Sequence, residues 1–394
     1  MQCPYKKYIY SIDKKAIKDD LQWLYQKGIL KRDKIERMGN GNPYWGIDIC
    51  FTGKEWVYYE KSPKYSKYEL HRKLFAMGYF KFSETGCQKC EICRIEKSKD
   101  WATKGFCEGE TWKNKCFVTL TYNGENLPND RKLRRSDIQK FWKDLRYHLY
   151  KKTKKTSKNK VDLELERNHM EEIYSNELED VFGANSRRKN RYPVRYINCG
   201  EYGPKTKRPH YHAVIFNFKP FDMRRLMRDR RGHWVYTSEK LNKIWGKGYV
   251  IVEHANYATC AYVARYTTKK YDRTPEEQEK MKAKKQIEFI GASSLGFIGY
   301  YYWLKNKEKI KENMGIFIHT KAGTHLQKIP KAMEKKWKWE NEDEYELYEI
   351  EKERIGKENW EKILSGTNLS ETEYIWETYR ARMEKYRALK RDAN

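Results

Sequence analysis

Apolar positions along this chain recur with two periods, and each period predicts an element where it holds. Alternating or continuous apolar runs mark strands at Cys116–Tyr122, Val194–Cys199, Ala213–Phe216 and Tyr249–Ala255. A spacing of three to four marks helices. In Ser136–Leu149 the residues Ile138, Phe141, Trp142, Leu145 and Leu149 form one stripe behind Ser136, a good N-cap. Ser238–Trp245 reads as a short helix stopped by Gly246, and Tyr257–Lys270 as a longer one capped by Asn256. Ile17–Leu30, Glu96–Phe106 and the basic run Phe221–Arg231 also have helical spacing, and Ile316–Ile329 resembles a hairpin turning at Ala322-Gly323. The pattern predicts an α+β protein, a central antiparallel sheet with flanking helices.

Turn and charge patterns divide the chain. Residues 1–85, with the turn cluster Asn40-Gly-Asn-Pro43, are expected to form an N-terminal accessory region, residues 86–330 the main domain, and residues 331–394 a charged helical tail. Residues 151–190 open with six lysines in ten positions and read as a solvated surface insertion. After Phe289, the small residues Gly291, Ser293, Ser294, Gly296 and Gly299 predict a loop that a DNA backbone can approach.

Charge sharpens the picture. The chain holds 83 Lys+Arg against 55 Asp+Glu, a net charge of +28. Residues 331–394 carry 14 of the basic and 16 of the acidic residues, leaving 69 and 39, a net of +30, in residues 1–330. The body of the protein therefore predicts a polyanionic partner, nucleic acid before others. Aromatic residues, at 15%, supply rings for stacking on unpaired bases. No run approaches the roughly 18 apolar residues of a membrane span, and the start lacks the apolar core of a secretory signal. Nine cysteines in such a chain point to a reducing cytosol, not a disulfide framework.

The candidate chemistry centres on Cys199-Gly-Glu-Tyr-Gly203 and Arg208-Pro-His-Tyr-His212. On a strand, His210 and His212 share a face and Tyr211 takes the other. Turn residues Gly203, Pro204 and Pro209 would fold Glu201 beside them, making a three-ligand divalent-metal site; the alternative is a hairpin whose histidines only hydrogen-bond. Cys87, Cys90, Cys93 and Cys107 are candidate ligands of a structural zinc, or else reduced cysteines packed beneath the fold. Tyr262 and Tyr266 lie one helical turn apart, about 5–6 Å between Cβ atoms, with Arg265 and Lys269 on much the same side. A metal-polarised phosphodiester would be open to attack by such a phenol.

These motifs, with Cys87-Gln-Lys-Cys-Glu-Ile-Cys-Arg94, Phe117-Val-Thr-Leu-Thr-Tyr122 and Ala261-Tyr-Val-Ala-Arg-Tyr-Thr-Thr-Lys-Lys270, occur in one order over about residues 85–300. In that order the chain resembles the replication initiation proteins of small single-stranded DNA phages, the microvirus and gokushovirus type, within the His-hydrophobic-His endonuclease superfamily. The resemblance implies a rolling-circle initiator endonuclease fold. It implies Mg²⁺ or Mn²⁺ on His210, His212 and Glu201, paired nucleophiles Tyr262 and Tyr266, and Lys269 as the motif lysine. Arg208, Arg265 and Lys270 are expected to contact DNA. The expected partners are origin DNA, single-stranded or melted, and host helicase and polymerase, in the cytoplasm of a bacterial host, with no membrane association. Two other functions are open: a metal-dependent nuclease using water, and a non-catalytic zinc-containing nucleic-acid binder.

Overall fold

The strand that carries the two histidines is hydrogen-bonded on both sides, so its side chains point into two separate layers. The computed structural model describes residues 6–12, 23, 26–27, 46–51, 56–59, 77–78, 80–86, 90–150, 161–170, 193–203, 206–229, 232–269, 288–293, 296–320 and 323–391. They fall into two compact units. One comprises Met1–Cys93 with Asn359–Asp392, and the other essentially Arg94–Glu358. The chain passes between them within helix α1 (Glu91–Thr111) and again within the helix Glu342–Ser365.

In the first unit, β1 (Lys6–Ile12), β2 (Gly46–Phe51), β3 (Trp56–Tyr59) and β4 (Phe80–Gly86) form an antiparallel sheet of order β3-β2-β1-β4. Apart from Trp23, Gln26 and Lys27, the expected helix Ile17–Leu30 lies outside the described residues, as does the Asn40–Pro43 turn.

The second unit is built on seven strands. They are β5 (Lys115–Tyr122), β6 (Arg195–Tyr202), β7 (Pro209–Phe216), β8 (Met223–Arg228), β9 (Trp234–Ser238), β10 (Gly248–His254) and β11 (Phe289–Ala292). Their order is β11-β6-β7-β5-β10-β9-β8, and every neighbour is antiparallel. The predicted α+β class, with a large antiparallel sheet and helices, is what is observed.

Alternation on β7 sorts the layers. Tyr211, Ala213 and Ile215 enter a core with Val118, Leu120, Val250 and Val252, closed by helices α2 (Arg135–Tyr150) and α4 (Glu239–Trp245). All five stripe residues of α2 are buried there. Ser238 caps α4 by accepting from Leu241 N, and Gly246, in the left-handed region at φ 60°, ends it. On the other face Val214 and Phe216 join Phe117, Ile197 and Cys199 beneath α5 (Tyr257–Lys269), with α6 (Tyr300–Glu312) completing that core. Gly105 of α1 meets α5 closely: a Cβ there would lie 3.0 Å from Cys260 Sγ and 3.1 Å from Ile197 Cδ1. Glu108 of α1 and Arg195 of β6 form a fully buried ion pair, Nε to Oε1 2.6 Å. The carboxylate also accepts from Trp112 Nε1 and Gly299 N, and Arg195 Nη2 donates to Phe297 O. One buried charge pair thus pins three elements.

Several expectations need correction. Phe221–Arg231 is not a helix: Met223–Arg228 is strand β8, paired with β9. Its apolar residues have helical spacing, but Leu226 and Met227 stay exposed, so no buried face favours a helix, and the neighbouring strand decides. The small-residue loop after Phe289 begins as edge strand β11, pairing with β6. Within the supposed insertion, the short helix α3 (Glu164–Asn168) is flanked by Val161, Leu163 and Met170, all in the main core; residues 151–160 and 171–190 lie outside the described residues. The α2 helix begins at Arg135, ahead of the Ser136 cap. Beyond the expected boundary at 330, Met333, Trp337, Tyr345 and Tyr348 bury against Trp303, Ile310, Ile316 and Ile318. The hairpin β12 (Ile316–Thr320) and β13 (Gly323–Gln327) is as expected.

Candidate active site

Glu201 and His210 are direct cross-strand partners, and His212 follows two residues on, so alternation puts all three on one face of the sheet. Glu201 Oε1 lies 2.8 Å from Nε2 of His210 and 2.8 Å from Nε2 of His212. Glu201 and His212 are buried; His210, with 17% of its side chain exposed, opens the group to solvent. Nδ1 of His210 is 3.1 Å from the Arg208 carbonyl, which only accepts, so this nitrogen carries the proton. In the neutral ring, Nε2 then presents a lone pair to a carboxylate oxygen, an arrangement that repels itself unless a cation or an extra proton enters. Two imidazole nitrogens and a carboxylate, with ligand atoms within 4.8 Å of one another, are a donor set suited to a divalent cation.

Two residues that the motif reading passed over hold this group in place. Thr119, opposite His212 in the β5–β7 register, sets its hydroxyl 2.9 Å from His212 Nδ1. Phe117 stacks on the same imidazole, centroids 5.7 Å apart and planes at 11°. Both follow from β5 being the next strand, a pairing that sequence periodicity does not reveal.

Helix α5 brings the phenol. Cys260 and Val263 pack against the sheet, and Tyr262 then points at the group. Its hydroxyl lies 3.2 Å from Glu201 Oε1 and 3.5 Å from His212 Nε2, with its ring edge-on to His212. Arg265 is exposed, its guanidinium 5.3 Å from the centre of the Tyr262 ring. Tyr266 and Lys269 follow on the same helix, where only the backbone is described, and Lys270 lies outside the described residues. Tyr257, at the start of α5, packs edge-on against Phe106 and His325 instead, and burial raises its phenol pKa. Arg208 donates to the carbonyls of Tyr122 and Asn123, capping the end of β5.

The cysteines are dispersed. Cys107 is fully buried with Trp303, Ile310 and Met333, and desolvation, then the nearby Glu108, holds its thiol well above the usual range. Cys90 and Cys93 belong to the first unit, in a small apolar cluster with Ile92 and Tyr379. Cys87 lies outside the described residues. Among the described residues, the one group able to hold a metal is Glu201, His210 and His212.

Residues 156–271, which contain that group and Tyr262, match the family model of replication-associated protein ORF2. The chain is 27% identical over 300 residues to replication-associated protein ORF2 of Spiroplasma virus 4, covering 74% of this chain and 79% of that protein. It is a relative of the phage replication-associated proteins. Among these, VP4 of Bdellovibrio phage phiMH2K is 31% identical over 206 residues, 52% of this chain and 53% of its own length. ORF4 of Chlamydia phage 1, a replication-associated protein too, is 25% identical over 233 residues, 57% and 48% respectively. The chain thus spans about half the length of these last two replication-associated proteins. No solved structure matches it, and no helix among the described residues is long and apolar enough to cross a membrane.

Proposed function

We propose that this chain initiates rolling-circle replication by nicking and rejoining origin DNA, single-stranded or melted, with Tyr262 as a nucleophile. The observation that carries the reading is the 3.2 Å approach of the Tyr262 hydroxyl to Glu201, inside a group of three cation ligands. A divalent cation there, Mg²⁺ or Mn²⁺, would supply Lewis-acid polarisation of a non-bridging phosphate oxygen. Tyr262 gives up its phenolic proton, for which the Glu201 carboxylate is the adjacent acceptor, and its oxygen attacks phosphorus in line. The bond from phosphorus to the 3′ oxygen breaks, that oxygen takes up a proton, and the 5′ phosphate stays on tyrosine. One phosphodiester replaces another, so the step reverses without ATP. Tyr266, one turn on, is the partner nucleophile for the closing cut, and Lys269 and Arg265 would stabilise the charged phosphate. Arg208 and Lys270 complete the proposed DNA contacts. Extension of the freed 3′ end falls to host helicase and polymerase in the bacterial cytoplasm.

The test incubates the protein and Mn²⁺ with end-labelled single-stranded oligonucleotides tiling the parent genome. A covalent, protease-sensitive adduct is expected with one oligonucleotide, and is lost in Tyr262→Phe/Tyr266→Phe while DNA binding persists. Adduct from the double variant would overturn the tyrosine assignment. Free 5′-phosphate ends without adduct would mean a water-using nuclease, and no cleavage at all a non-catalytic binder.

A further inference from the structure

The face of the sheet that carries the metal-ligand group is only partly roofed. Helix α5 lies over β11, β6 and β7 and does not extend across β10. Strand β10 shows the result in its burial: Val250 and Val252 are buried in the opposite core, whereas Tyr249, Ile251 and Glu253, on the site face, are not. Tyr249 is 66% exposed.

Pairing register locates this ring relative to the site. Glu201 is opposite His210, His210 opposite Thr121, and Thr121 opposite Tyr249. Directly paired residues of an antiparallel sheet project from the same face, so these four form one cross-strand row. The next row runs Cys199, His212, Thr119, Ile251. Tyr249 therefore stands two strand spacings, about 10 Å, from His210, with the short side chain of Thr121 between them. An exposed tyrosine on a strand is commonplace. This one closes an open shelf floored by Thr119 and Thr121, bounded at one end by the cation ligands and at the other by an unobstructed aromatic ring with Ile251 beside it. Arg224, exposed on edge strand β8, ends the His212 row through Ile251 and Thr237.

We propose that Tyr249 is a base-stacking platform for the DNA strand that Tyr262 cuts. A shelf of small polar and aromatic side chains with a cation at its far end and no acceptor-reading groups suits a single strand with splayed bases, which stack on aromatic rings regardless of sequence. Duplex DNA has its bases already stacked and could not use the ring. At about 3.4 Å per stacked nucleotide, 10 Å puts the stacked base within about three nucleotides of the scissile phosphate. The proposal rests on the nicking reading, and its test separates the two.

Binding is measured by anisotropy with the labelled oligonucleotide identified by cleavage mapping, using the full chain. Stacking is worth about 1–3 kcal/mol per base, so Tyr249→Ala should bind roughly 5- to 150-fold more weakly. Tyr249→Phe, which keeps the ring, should bind as the parent does. Single abasic sites are then walked along the oligonucleotide. At one position near the cut, removal of the base should weaken the parent protein but leave Tyr249→Ala unaffected, a coupling that a merely structural tyrosine would not produce. Parent-like binding by Tyr249→Ala, or the absence of any such position, overturns the platform while adduct formation upholds nicking. Coupling without adduct upholds the platform and removes the nicking reading.

Discussion

Replacing Thr119 by valine tests the cation site through a residue that never touches the cation. The hydroxyl lies 2.9 Å from His212 Nδ1, and it fixes both the direction and the protonation of the ring whose Nε2 faces Glu201. Valine puts a methyl group in its place. Apolar contacts settle at about 3.5–4.0 Å, so the imidazole must move by several tenths of an ångström. It cannot slide freely, because Phe117 holds it from one side. Loss of an orienting partner of this kind typically weakens metal binding 10- to 100-fold, about 1.4–2.7 kcal/mol. The cost to folding should be smaller, about 0.5–1.5 kcal/mol for one hydrogen bond. Calorimetric titration with Mn²⁺ at fixed pH measures the first and urea unfolding the second. Thr119→Ser keeps the hydroxyl and should bind Mn²⁺ nearly as the parent does. If valine and serine variants bind Mn²⁺ alike, His212 is not a ligand oriented by Thr119, and the assignment of the cation site fails.

Three further outcomes follow from the core and the surface. Arg195→Met strands the Glu108 carboxylate in the interior and should cost about 3–5 kcal/mol in denaturant unfolding, a large part of a typical 5–15 kcal/mol; a loss below about 1 kcal/mol would mean that solvent already reaches the pair. Burial pushes the thiols of Cys116 and Cys260 up to about 12, so at pH 8 roughly one in ten thousand is thiolate. Mass spectrometry after iodoacetamide should find both unmodified in the native protein and labelled after unfolding. The Lys311 ammonium, 2.8 Å away, and then Trp337 Nε1 hold the Glu344 carboxyl below its usual value of 4.5. Its folded pKa lies below the unfolded one, so its contribution is complete above about pH 4.5 and fades as pH falls through the lowered value. Lys311→Met should flatten the acid limb of the melting temperature against pH; an unchanged limb would show that the pair contributes nothing.

The elements that periodicity specified were those whose environment is one-sided. Ile138, Phe141, Trp142, Leu145 and Leu149 form a stripe because a single layer receives them. Val250 and Val252 alternate with Tyr249 and Ile251 because only one face of β10 is covered. Phe221–Arg231 misled for the converse reason: its side chains face water, so spacing carries no information about what they pair with. At the site, His210, His212 and Glu201 were legible because the short connection from Glu201 to His210, rich in turn chemistry, leaves a hairpin few alternatives. Thr119 and Phe117 were not, since they come from a strand about ninety positions earlier, joined to β7 only by backbone hydrogen bonds. Tyr249 was hidden for the same reason.

The reach of the Tyr262 phenol is, in the end, a matter of clearance elsewhere. Helix α5 rests against Ile197 and α1, and at their meeting point Gly105 offers no side chain where even one carbon would press Cys260 Sγ at 3.0 Å. Widening that seam by a methyl group would lift the whole lever carrying the hydroxyl, and a displacement near 1 Å at a reacting atom can cost about a hundredfold in rate. Reactivity in this protein is thus gauged by a spacer, and the spacer is the missing side chain of a residue that no substrate ever meets.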